Sequence, residues 1–300
     1  MSGSERRFLS EDENFFRVEY LEESGPIEDD EDVVLYHEGD TGAVVEVSGQ
    51  IATKTHRASG PFTRERDAML FLSGQRLAGV PRLLAVNETA QRLTLERIFG
   101  KGVEAIRADN DERVWSMAGA WLRTLHQLPV ETTDRLSFSE AMRARLRTVR
   151  PTVEAQLSDT LRATLETIEE ALRSGRIPDG PRVFAHRDFR PRNWMLRRDA
   201  SFVAVDFEHS RPDFVEWDLV RLLPYWRSTP PLQRVFLRAY RDARMQLSDE
   251  RLRVAAFVDA LQTLAWGLEH GRDDYQASGL ALAAKAAEDY AERATYFQFP

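Results

Sequence analysis

The sequence predicts an α+β fold of two lobes, a small β-rich N-terminal lobe followed by a larger and mostly helical one. Three observations carry this expectation. Residues 33 to 55 are rich in β-branched side chains and punctuated by Gly39, Gly42 and Gly49. Beyond residue 102 apolar residues recur with helical spacing. Within that helical half lies one charged interruption, "VFAHRDFRPRNWMLRRDASFVAVDFEHS" at residues 183 to 210, where strand-like alternation returns. With 300 residues and 42% hydrophobic content, the chain can bury one large core or two coupled lobes.

Taken in order, residues 1–32 form an acidic N-terminal segment whose like charges repel and favour solvation. The N-lobe is expected over 33–100. "VVLYHEGDTGAVVEV" and "GQIATKTH" read as three antiparallel strands joined by tight turns. "FTRERDAMLFLSGQRLAG" places Ala68, Met69, Phe71 and Leu72 on a helical spacing and ends in Gly79, an amphipathic helix. "RLLAVN" and "RLTLERIF" make a second hairpin, closed by "GKG" at 100–102. The C-lobe, 101–300, is expected to hold helices at "ERVWSMAGAWLRTLHQLP", "FSEAMRARLRTVRPTVEAQL", "DTLRATLETIEEALRSG" and "FVEWDLVRLLPYW", and a long helical tail from Gln233 to Phe297. "NWML", the turn "RRDA" and "FVAVDF" form a short hairpin, which leaves the charged groups on loops at strand ends.

Composition narrows the chemistry. No apolar run approaches the roughly 18 residues of a membrane span, and the N-terminus lacks a signal peptide's apolar centre, so a soluble, cytoplasmic protein is expected, without a membrane partner. Without cysteine there are no thiolate metal sites, and oxygen or imidazole ligands favour hard ions such as magnesium. The net charge of -8 argues against a nucleic-acid partner. That charge is concentrated in residues 1 to 50, with fifteen acids against three arginines, and the remainder is slightly positive, 34 acids against 38 bases. Lysine occurs only at 54, 101 and 285, which makes each position informative.

In the charged interruption, Asp188 is followed five positions later by Asn193, and Asp206 stands at the end of the adjacent strand. Two of these oxygen-bearing side chains can hold a magnesium ion, and the third can accept a proton from an attacking hydroxyl. That set suits phosphoryl transfer. His-x-Asp-x-x-x-x-Asn followed by Asp-Phe-x, here "HRDFRPRN" and "DFE", matches the catalytic and metal motifs of protein kinases. "GQIATKT" is not a P-loop, because Thr53 stands where glycine must precede the lysine.

With "DFEHSRPDFVEWDLVRL" and "LRTLHQLP" added, the chain resembles the aminoglycoside phosphotransferase and choline kinase branch of the protein-kinase-like superfamily over nearly its whole length after the acidic segment. The resemblance implies a two-lobe kinase-like fold, with ATP and Mg2+ as cofactors and a small-molecule hydroxyl as acceptor: an aminoglycoside or other antibiotic, an amino-alcohol, a sugar or a nucleoside. Asp188 would be the base, and Asn193 and Asp206 would coordinate magnesium. Glu208 would reach a second metal or the catalytic loop, or form a plain ion pair with a nearby arginine. Arg190 and Arg192 replace the small or His residues usual in this loop, and would either pair with the transferring phosphate or be solvated. His186 would pin the loop backbone. Lys54, at the end of the third strand, would contact the α- and β-phosphates, with Glu65 rather than Asp67 as its partner, since Glu65 shares a helix face with Met69 and Leu72.

"HEGDTG" would cover the phosphates with backbone N–H groups or simply form a turn. The backbone of Glu96 and Ile98 would meet the adenine at the hinge. Asp218 would hold the Asp188 loop, or serve as a helix N-terminal acid. Residues 103 to 115, together with Trp266, Glu269, Asp273 and Asp274, are candidates for the acceptor side, with a solvated helix end as the plainer alternative. Two rival readings are a protein kinase, disfavoured because no Ala-Pro-Glu activation segment is present, and a nucleotide-binding module without catalysis, disfavoured because every expected catalytic position is filled.

Overall fold

The computed structural model describes residues 35–38, 43–132 and 134–297. The acidic segment 1–32 and most of "HEGDTG" lie outside the described residues. The N-lobe is an antiparallel sheet of β1 (Leu35–Glu38), β2 (Val44–Ser48), β3 (Ile51–Thr55), β4 (Leu83–Asn87) and β5 (Arg92–Glu96), in the order β1-β2-β3-β5-β4. Central β3 carries Lys54, in register with Val45 of β2 and Leu93 of β5. One helix, α1 (Ser59–Gln75), buries Phe62, Glu65, Ala68, Met69 and Leu72. It starts three residues before the expected Phe62. Gly60-Pro61 reads as a breaker, yet in the first turn proline forfeits only an N–H that has no intrahelical partner.

"GKG" does not close the second hairpin. Gly100–Gly102 is a strand, β6, that pairs with β8 (Trp194–Arg197), which pairs in turn with β9 (Phe202–Ala204). A Cβ on Gly100 would run into the Leu196 backbone, so only glycine lets these strands meet. The hairpin β8–β9 forms as expected.

A second pair, β7 (Arg182–Ala185) with β10 (Arg211–Phe214), was not legible beforehand. Around these strands pack α2 (Glu112–His126), α3 (Phe138–Val153), α4 (Asp159–Arg173), α5 (Glu216–Leu219), α6 (Leu223–Ser228), α7 (Pro230–Tyr240), α8 (Asp249–His270) and α9 (Asp273–Ala291). The single helix expected at 214–226 is divided: Phe214 ends β10, a tighter turn at Val220–Leu222 separates α5 from α6, and Pro224 fixes the restart. The tail is three helices, with Gly271 at φ +65 ending α8. Trp115, Phe138, Phe189, Trp194, Phe207, Phe236 and Phe257 anchor a core that reaches directly beneath the 183–210 stretch.

Candidate active site

The loop between β7 and β8 is held from below before it presents any charge. Asp218 of α5 is fully buried, and its Oδ2 accepts the backbone N–H of His186 at 2.9 Å while its Oδ1 accepts that of Arg187 at 2.5 Å. His126, at the end of α2, contacts Asp218 Oδ2 through Nε2 at 2.8 Å and the Tyr240 hydroxyl through Nδ1 at 2.7 Å. Arg187 takes φ +65, a left-handed conformation that costs a non-glycine residue free energy and persists only where its surroundings hold it. The Asp218 carboxylate supplies that hold. His186 is buried, its Nε2 meets the Val205 carbonyl at 3.0 Å, and its ring packs on Phe207 at 4.7 Å. It ties the two halves of the site together. Phe189 stacks on Trp121 and fixes the loop to the core.

On that base the loop raises Asp188, which is 3% exposed. Arg190 Nη2 reaches Asp188 Oδ1 at 2.7 Å, Arg192 Nη2 reaches Oδ2 at 3.0 Å, and Asn193 Nδ2 donates to Oδ2 at 2.7 Å and to the Asp188 carbonyl at 2.8 Å. Arg221 Nε lies 4.0 Å from Oδ1. Burial alone would raise the Asp188 carboxyl, but Arg190, Arg192 and Arg221 hold it well below the usual carboxylate range. Asp188 is therefore ionised.

The second cluster joins the lobes. Lys54 Nζ lies 2.7 Å from Asp206 Oδ1, 2.9 Å from Glu65 Oε2 and 3.2 Å from Glu208 Oε2. Burial pulls the Lys54 ammonium down, but Asp206, Glu65 and Glu208 together keep it well above its ordinary value. Burial works against ionisation of Glu65 and Asp206 as well, yet Lys54 holds both carboxyls down. Glu208 goes the other way, pushed up by burial and by Asp206. Asp206, like Arg187, has a left-handed φ, +68. The Val205 N–H donates to the Asn193 carbonyl at 3.0 Å, which sets Asp206 beside the loop of Asp188 and Asn193.

The structure thus brings Lys54, Glu65, Asp206 and Glu208 to one point, and Asp188, Arg190, Arg192 and Asn193 to another beside it. Asp67 is exposed and pairs with Arg66 instead. Glu96 ends β5, with its N–H given to the Arg82 carbonyl, and Ile98 follows in the link to β6. On the acceptor side, Glu269, Asp273 and Asp274 are exposed at the α8–α9 junction, where Asp274 meets Arg272. Trp266 stacks on His270 and packs at a tilt against Tyr275. Sequence reasoning missed His56, whose Nε2 lies 2.9 Å from Glu65 Oε2, and Arg221. His56 is two residues beyond Lys54, an alternating spacing that carries on from β3 just past its end at Thr55. Arg221 is three residues beyond Asp218, one turn along a helix.

For a cation, Asp206 and Glu208 offer carboxylate oxygens of the kind a hard divalent ion takes, in a cluster with more carboxylates than ammonium, and Asn193 carries an amide oxygen in the adjoining cluster, where its Nδ2 is on Asp188. His56, Glu65 and Glu208 also bring ligand atoms within 4.8 Å of one another. Lys54 contacts carboxylates of both sets, Asp206 and Glu208 in one and Glu65 and Glu208 in the other, so its position does not choose between them.

A family model described as "Phosphotransferase enzyme family" matches residues 30–257. Among solved structures, the chain is similar to a choline kinase from Streptococcus pneumoniae, at 17% identity and TM-score 0.67, covering 86% of this chain and 95% of that one. It is similar also to a choline/ethanolamine kinase family protein from Mesorhizobium loti, at 15% and 0.65, covering 89% and 90%. A third is the GDP complex of aminoglycoside 2'-phosphotransferase-IIIa, at 14% and 0.68, covering 88% and 94%. At these identities the likeness shows the two-lobe kinase-like fold. No curated protein sequence matches the chain.

Proposed function

The chain belongs to the phosphotransferase enzyme family, and from that membership we propose that it is an ATP- and magnesium-dependent small-molecule kinase of the cytoplasm. It transfers the γ-phosphoryl group to an alcohol hydroxyl. The observation that supports this reading best is the Lys54–Asp206 contact at 2.7 Å, which joins the N-lobe lysine and its Glu65 partner to the loop of Asp188 and Asn193. A nucleotide taken between the lobes would meet Lys54 through its phosphates, with its base against the Glu96–Ile98 backbone. Asp206, Asn193 and Glu208 would hold Mg2+. When bound, the ion supplies charge neutralisation at the phosphate oxygens.

Asp188 orients the acceptor hydroxyl and takes its proton as the acceptor oxygen bonds to the γ-phosphorus. The bond from that phosphorus to the bridging oxygen breaks, and ADP leaves. Arg190 and Arg192, both on Asp188, stand at the reacting centre, where each can meet developing charge with a planar fork of donors. The similar structures include complexes with AMP, ADP and GDP, which supports a nucleotide cofactor.

Calorimetric titration with ATP and with GTP, each with and without Mg2+, tests the reading. The expected result is magnesium-dependent ATP binding, followed by ATP consumption when a panel of hydroxyl compounds is supplied. Absence of nucleotide binding under all four conditions would refute it.

A further inference from the structure

We propose that Arg187 and Arg211 form a binding site for a phosphate group, free or on a small ester, where the loop of Asp188 meets β10. The site is separate from the Lys54 and Asp188 clusters and does not depend on the phosphotransferase reading. Strands β7 and β10 create it. In their antiparallel register Ala185 stands opposite Arg211 and Val183 opposite Asp213, so Arg211 lies beside the start of the loop and shares a face of β10 with Asp213. Asp213 is buried, and its charge is already met by Arg145 of α3, whose Nη2 donates to both carboxylate oxygens at 2.7 Å. Two more guanidiniums face the same acid. Arg187 Nε lies 3.1 Å from Asp213 Oδ2 without making a hydrogen bond, and Arg211 Nε lies 3.9 Å from that oxygen.

Among the described residues, neither Arg187 nor Arg211 pairs with any other acid. Partial burial, Arg145 and Arg64 pull Arg211 below its ordinary value, with Asp213 alone opposing them. Burial, together with Arg211, Arg145 and Arg221, pushes Arg187 down to about 9 against Asp213, so it is still charged at neutral pH. The neighbouring acids are engaged: Asp218 by the His186 and Arg187 N–H groups and by His126, Asp188 by Arg190 and Arg192, and Asp259 by Arg221. Arg64 donates to the Glu208 carbonyl and brings no negative charge. Donors are open as well. Neither Nη of Arg187 nor any guanidinium nitrogen of Arg211 hydrogen-bonds a described residue, and the Arg211 side chain is 44% exposed. A phosphate group carries close to two negative charges at neutral pH, which matches two uncompensated guanidiniums, whereas a carboxylate would match one. Trp217 steadies the cluster from one side, with the Arg145 and Arg187 guanidiniums 4.4 and 5.2 Å from its ring centroid. Because Arg187 directly precedes Asp188 and keeps its left-handed φ, an anion on its side chain would add a hold on the loop.

The test uses the full chain, titrated calorimetrically with sodium phosphate and with glycerol 3-phosphate at constant ionic strength and without nucleotide. Saturable binding of at least one is expected; tighter binding of the ester assigns the site to a small phosphorylated molecule, and tighter binding of phosphate assigns it to the free ion. Arg211→Gln should weaken that binding by about tenfold or more. Arg211→Lys keeps the charge and removes the planar fork, so it should weaken binding too while retaining the circular dichroism of the wild type, and the result does not hang on the fold of the Gln variant. Arg190→Gln locates the anion, because it removes an arginine of the Asp188 cluster and should leave phosphate affinity unchanged. Saturable binding of neither anion, unchanged affinity in both Arg211 variants, or a loss in Arg190→Gln as large as that in Arg211→Gln would each overturn the inference. Failure of ATP to bind would leave the phosphate result standing, so the two readings fall separately.

Discussion

Lys54 and Asp188 are buried charges of the same site, and their surroundings are opposite in sign. One ammonium faces three carboxylates, Glu65, Asp206 and Glu208, at 2.7 to 3.2 Å. One carboxylate faces three guanidiniums, those of Arg190 and Arg192 in contact and that of Arg221 at 4.0 Å. Taking charges out of water is costly unless each finds a partner, so neither imbalance is stabilising in itself. The Lys54 cluster has negative charge to spare and suits a divalent cation between carboxylates and phosphates. The Asp188 cluster is rich in arginine, with Arg221 paired also to Asp259 and Arg192 within the electrostatic reach of Asp206.

The largest expected effects separate the two clusters. Asp188→Asn keeps the side-chain shape and removes the proposed proton acceptor, so turnover should fall by about 10²–10⁴-fold while Mg·ATP still binds. Asp206→Ala should lower turnover as far and also remove the magnesium-dependent part of nucleotide affinity. Calorimetry beside a turnover assay reads both, and an equal loss of nucleotide affinity in the two variants would merge clusters that are here assigned different work. Next in size is Lys54→Ala, which leaves three carboxylates without their counter-ion. The expected loss is about 3–5 kcal/mol of stability, with ATP affinity at least about tenfold weaker. Because an ion that binds only the folded state stabilises it, Mg2+ should raise the urea midpoint more in this variant than in the wild type. Unchanged ATP affinity and turnover in Lys54→Ala would remove the lysine from the nucleotide site.

The Lys54 cluster was more legible in the sequence than the Asp188 cluster, for a physical reason. Lys54 and Glu65 announce themselves locally, one as a rare lysine at a strand end, the other on the apolar face of the next helix. Asp188, Asn193 and Asp206 were readable from spacing, because a short hairpin fixes their separation. That Arg190 and Arg192 both turn onto Asp188 was not readable, since it depends on the extended backbone at Arg190 and the tight turn after it. Strands β7 and β10 escaped for a related reason. They pair across 26 residues, and neither is long enough for alternation to identify it alone. His126 lay within a stretch similar to the family, yet only the fold shows it reaching Asp218, 92 residues away.

Asp218 tests whether the Asp188 cluster depends on its support. Asp218→Asn retains one oxygen acceptor but loses the charge that His186, Arg187 and His126 share, at an expected cost of about 2–4 kcal/mol. Arg187 would then be freer to leave its left-handed conformation, and the loop would carry Asp188 with it. Turnover should fall while the Michaelis constant for ATP changes little, because Lys54 and Asp206 are supported from elsewhere. A variant that loses stability but keeps wild-type turnover would show that the support is structural only.

The smallest effects come from titrating each cluster, and their signs should differ. A carboxyl whose folded pKa is depressed contributes stability that is present above its unfolded value, about 3.9 for aspartate, and lost as pH falls through the folded value. Asp188 is such a group, held down chiefly by Arg190 and Arg192 against its burial. Arg192→Gln removes one of those guanidiniums, so the folded pKa rises and the contribution of Asp188 shrinks. Urea unfolding should therefore show the variant less stable than wild type at pH 7, and the gap should narrow as pH falls through the folded value and both forms become protonated. Glu208 has the opposite sign, because burial and Asp206 push its carboxyl up and ionisation at neutral pH works against the fold. In metal-free buffer Glu208→Gln is expected to be neutral or stabilising at pH 7, with any gain fading as pH falls below the folded value of Glu208. Added Mg2+ should then favour the wild type if Glu208 is the oxygen ligand proposed for the ion, since the variant would weaken it. If both substitutions destabilise equally at every pH, the two clusters do not surround their central charges in opposite senses.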